Sequence, residues 1–79
     1  MIKLVTLPGQ KYDGSADTFV LVQKGLMGDW TLCYSDVGRI TKPTLEKIFF
    51  ALAGMVEWNR WSPETQAWLL AHNNGKPIW

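Results

Sequence analysis

The stretch TFVLVQKGLMGDWTLCYS, residues 18–35, decides how this chain folds. Its first seven residues are rich in β-branched side chains, which fit a pleated, half-buried surface, and they read as a strand. GLMGD (25–29) supplies two glycines for a turn, and WTLCYS (30–35) alternates large and small residues as a returning strand does. Together they predict a hairpin with a five-residue connection.

Working outward, IKLVTL near the start reads as a further strand ended by Pro8-Gly9. The polar segment KYDGSAD (11–17) between the two is expected to be the most mobile loop. On the other side, DVGRIT (36–41) reads equally as a loop or as a short fourth strand. The acidic residues sort by type: Asp13, Asp17, Asp29 and Asp36 lie early, whereas Glu46, Glu57 and Glu64 lie late. Aspartate favours turns and glutamate tolerates helix interiors, so a sheet half (1–41) precedes a helical half (42–79). The expected architecture is a single α+β domain over residues 1–79. It has a three-stranded, mostly antiparallel sheet over residues 2–35 and two C-terminal helices packed on one face.

The first helix is expected to start near Pro43, with Thr41 or Thr44 as cap and Glu46 at the positive end of its dipole. Leu45, Ile48, Phe49, Leu52 and Val56 recur at helical spacing and make the face that packs on the sheet. Phe50, Gly54 and Trp58 fall on the opposite face, where a simple surface helix carries charges; Lys47 alone does so. SPET (62–65) opens a second helix with Ser62 as N-cap and Pro63 in the first helical position. Thr65 stands where the Glu or Gln of a capping box would reach back, so the box is incomplete. The helix is expected to run to about His72, and NNG followed by Pro77 stops it, with Asn74 or Gly75 left-handed.

Composition narrows the chemistry. A chain of 79 residues supports one core and a thin margin of stability. Cys33 is the only cysteine, which excludes an intrachain disulfide, and Cys33 with His72 supplies two of the roughly four ligands of a usual zinc site. No metal or cofactor is expected. Cys33 and His72 read as a buried structural thiol and a helix-end histidine rather than a catalytic pair, and no glycine-rich phosphate loop precedes a helix, so an enzyme is not expected.

The net charge of +1 gives no field to attract nucleic acid or an anionic membrane, nor the acidic surface of a DNA mimic. The first apolar run is broken by Lys3, Thr6 and Pro8 and is too short for a signal peptide, and no run approaches the roughly 20 apolar residues that span a bilayer. A soluble protein of the cytoplasm is expected. A helix-turn-helix over 44–58 and 62–72 is an alternative, with Thr65 and Gln66 at base edges and Arg60 on a phosphate. Against it, residues 61–75 contain no Lys or Arg. A single-strand platform of Phe19, Trp30 and Tyr34 competes with the simpler reading of those rings as the sheet's inner face. A membrane-lying amphipathic segment with Trp58, Trp61 and Trp68 at the headgroups lacks the usual basic flank.

What remains is the aromatic content. Five Trp, three Phe and two Tyr exceed what one small two-layer core needs, and VEWNRWSPETQAW (56–68) holds three of the tryptophans. Phe50, Trp58, Arg60, Trp61, Trp68 and Trp79 are the expected partner-binding residues, since Trp and Arg are enriched at binding hot spots. The surplus is expected to gather where the two helices meet, with a homodimer as the competing use of the same surface. In general character, though in no single motif, the chain resembles the small accessory proteins of bacteriophages and mobile elements, anti-CRISPR inhibitors among them. It shares their very short length, single α+β domain and poverty in catalytic residues. The resemblance implies a stoichiometric inhibitor that occupies a surface of a host nuclease or defence complex in the host cytoplasm.

Overall fold

The computed structural model describes residues 1–7, 18–35 and 37–78. The expected loop at 11–17 and the expected anchor Trp79 lie outside the described residues. Four strands come first, β1 (Ile2–Val5), β2 (Thr18–Gln23), β3 (Trp30–Cys33) and β4 (Arg39–Lys42). They are followed by α1 (Leu45–Met55), a 3-10 turn (Trp58–Arg60) and α2 (Pro63–Ala71). The strands pair antiparallel in sequence order, β1-β2-β3-β4.

The α+β class is as expected, but among the described residues the sheet has four strands rather than three. DVGRIT leaves the choice open because a four-residue edge strand needs little apolar patterning, and in it only Ile40 packs against the core. Arg39, Thr41 and Lys42 are exposed, and Thr41 instead exchanges a 3.0 Å hydroxyl contact with Thr31 across the pair.

Strand pleating puts alternate residues on opposite faces. Ile2 and Leu4, Phe19 and Leu21, Trp30 and Leu32, and Ile40 form one side, and the helices cover it. α1 lies over β3 and β4, and α2 reaches β1. The α1 stripe behaves as its spacing predicts: Ile48, Phe49, Leu52 and Val56 are buried and Leu45 partly so. Thr44 is the cap, its hydroxyl accepting from the Lys47 amide at 3.3 Å. In α2 the buried positions are Thr65 and Leu69, while Ala67 and Ala71 are exposed.

Residues 60–62 bind the free side of β1. Leu7 N–H donates to the Arg60 carbonyl (2.8 Å) and Ser62 N–H to the Val5 carbonyl (2.9 Å), on either side of an antiparallel bridge between Thr6 and Trp61. The Val5 amide donates to Thr65 Oγ1 at 2.9 Å. This accounts for the incomplete capping box. The Ser62 amide, which a Glu would otherwise satisfy, is taken by Val5, and Thr65 points its hydroxyl at β1 while Ser62 Oγ still accepts from its amide at 3.3 Å.

Candidate functional site

α2 ends as the NNG signal predicts, with both Asn74 (φ 56°) and Gly75 (φ 75°) left-handed and the Gly75 amide returning to the Leu70 carbonyl at 2.8 Å. Asn73 then fixes the tail, its Nδ2 donating to the carbonyls of Lys76 (2.8 Å) and Pro77 (3.3 Å). Pro77 and Ile78 are thereby brought alongside α1. Between tail and helix lies a groove of about 420 Å³, lined by Glu46, Phe49, Phe50, Ala53, Gly54, Asn73, Pro77 and Ile78. Its size falls at the small end of the roughly 300–1,000 Å³ usual for binding pockets. Phe49 and Ile78 are buried in its floor, whereas Phe50 stands 86% exposed at its lip. The lining is apolar apart from Glu46 and Asn73.

Gly54 is not required by the backbone here. Its φ is ordinary, and a Cβ built on it meets no atom within 4 Å. Gly54→Ala is therefore expected to raise stability by about 0.5–1 kcal/mol, since glycine is the costlier helix residue. A thermal melt about 2–8 °C above wild type would show it.

The anticipated aromatic anchors separate. Phe50 is exposed and lines the groove. Trp61 is a correction: at 1% exposure it is a core residue, edge-on to Phe19 with ring centroids 5.4 Å apart and planes at 66°. The bridge to Thr6 fixes its backbone against β1 and turns its side chain under the sheet. Among the described residues its Nε1 is buried without a hydrogen-bond partner. Trp58 and Trp68 are half-buried against the core. Trp68 lies edge-on to Phe49 (6.1 Å, 88°) and stacks on His72 (4.1 Å, 22°), so it reaches the groove only from behind Phe49. The Arg60 side chain is exposed, and its carbonyl serves the contact with β1. Leu69 and Ile78 are buried. Among the described residues the most exposed apolar side chains are thus Phe50, Met1, and Leu26, Met27 and Val37 in the strand connections, rather than residues of the helix junction.

Two other readings of these residues meet the same geometry. Thr65 is 4% exposed and Gln66 donates to the Trp58 carbonyl at 2.9 Å, so neither is presented to a base edge. Phe19 is buried, and Trp30 and Tyr34 pack against the core, so they offer no open stacking platform. Among the described residues no three His, Cys, Asp or Glu side chains gather as a metal site, and no helix is long and apolar enough to cross a membrane. Phe50 and Gly54 are legible in the helical period, whereas Pro77 and Ile78 join the groove through the α2 stop and carry no local signal for it.

The groove defines a small α+β domain with an open apolar cleft between a helix and a returning tail. The chain matches no protein-family model, and comparisons with curated proteins and with solved structures find no match either.

Proposed function

We propose that this chain is a non-enzymatic protein-binding module whose docking element is the groove between α1 and the C-terminal tail. The observation that carries the reading is Phe50, a large ring 86% exposed at the lip of an apolar groove whose floor is already core. Rings of this kind dominate binding energy when a partner buries them. The lining fits an amphipathic segment of another protein that inserts bulky apolar side chains over Ala53 and Gly54 and sets a basic residue against Glu46. A stoichiometric inhibitor of a host defence or nuclease complex, of the phage type, would act in this way by covering a working surface.

A photo-crosslinking residue at position 50 identifies the partner, and titration of the purified pair then tests the site. Phe50→Ser is expected to leave the fold within about 0.5 kcal/mol of wild type. It should weaken binding about 30-fold or more, the scale of a hot spot. Gly54→Gln, which fills the groove, should act likewise. Wild-type affinity in both variants would refute the assignment. Sedimentation over a concentration series separates a foreign partner from a second copy on the same face.

A further inference from the structure

The β2–β3 connection, residues 24–29, carries two consecutive large apolar side chains almost wholly in solvent, Leu26 at 93% and Met27 at 96% exposure. The connection is braced. The Lys24 amide donates to the Asp29 carbonyl at 2.9 Å, and the Gln23 side chain, through Nε2, donates to the carbonyls of Leu26 (3.2 Å) and Gly28 (3.3 Å). Gly25 is left-handed (φ 71°), and a Cβ on Gly28 would collide with the Lys24 carbonyl. The turn therefore holds its shape while presenting Leu26 and Met27 outward.

The same end of the sheet is basic. Lys24 flanks the tip, Lys42 lies across from Trp30 on the helix-covered face, and Lys3 lies across from Val20 on the opposite face, so the lysines bracket this part of the sheet from both sides. Asp29 opposes them, while Glu46 and Lys47 in the first turn of α1 cancel. Three lysines against one aspartate leave two net positive charges around the exposed apolar pair. Val22 (40% exposed) and Met1 (86% exposed) extend the apolar surface beside it.

We propose that the 24–29 tip is a membrane-surface contact, inserting Leu26 and Met27 among the headgroups of an anionic bilayer while Lys3, Lys24 and Lys42 face the lipid phosphates. This differs from the amphipathic-helix mode that lacks a basic flank, since here Lys24 adjoins the apolar pair and Lys42 and Lys3 stand on the strands behind it. Neither signal suffices alone, and peripheral anchoring generally combines apolar insertion with basic attraction. The proposal is independent of the α1 groove.

Flotation of the full chain with vesicles of phosphatidylcholine, with and without about one third phosphatidylserine, tests it. Binding is expected to be reversible and roughly 25-fold stronger with phosphatidylserine, about 5-fold per net charge. Leu26→Ser/Met27→Ser alters only exposed side chains, and a native circular dichroism spectrum confirms that it folds. It should reduce binding about 100-fold. Lys24→Glu should reduce it about 25-fold on anionic vesicles and leave neutral ones unaffected. No flotation of the wild type, flotation indifferent to lipid charge, or undiminished flotation of the double variant would each overturn the proposal.

Discussion

Trp61→Ala is expected to unfold the domain at ambient temperature or to lower its melting midpoint by roughly 12–40 °C. The substitution empties the space beneath β1 where the indole meets Phe19, and losses of this kind cost about 3–5 kcal/mol. A domain of 79 residues has a total of about 4–12 kcal/mol to lose. Trp61→Phe separates packing from polarity. It surrenders part of the ring but also removes the buried Nε1, which has no hydrogen-bond partner among the described residues. An orphaned donor carries a penalty of about 1–3 kcal/mol, so the Phe variant should stay folded within about 2 kcal/mol of wild type. Urea melts of the two variants decide the matter. An alanine variant as stable as wild type would return Trp61 to the surface.

Thr65→Val is nearly isosteric and should still cost about 2–3 kcal/mol. It strips the acceptor from the Val5 amide and from the Ser62 hydroxyl, which donates to Thr65 Oγ1 at 3.0 Å. An amide left unsatisfied against the core loses its hydration without replacement. Thr65→Ser keeps the oxygen and should recover most of the loss. Hydrogen exchange gives a local readout: the Val5 amide should lose protection in the Val variant at denaturant concentrations where β2 and β3 amides keep theirs. Equal protection in both variants would show that the hydroxyl contact carries no stability.

These two residues also mark the limit of what local sequence patterns reveal. The β2–β3 hairpin, the Thr44 and Ser62 caps, the Pro63 start and the left-handed Asn74-Gly75 stop are written in neighbouring residues, because turn and cap chemistry acts over three or four positions. The α1 core stripe is equally legible from its period. β4 is ambiguous because an edge strand that buries only Ile40 has almost no alternation to show. The fate of each tryptophan was hidden for another reason. Trp58, Trp61 and Trp68 are alike in composition and close in sequence. Their environments differ because Trp61 alone forms a bridge with Thr6, a partner with no local signal. The groove is half legible: Phe50 and Gly54 announce it, while Pro77 and Ile78 enter only once the tail has folded back.

The link between Val5 and Thr65 joins positions sixty residues apart. A polypeptide emerging from the ribosome therefore completes its sheet before it can cover the margin of β1, which stays open to any extended neighbour until residues 60–62 arrive. The closing segment acts as a built-in guard against strand-to-strand clumping. A chain cut short before Trp61 would carry a raw seam in place of a finished hem.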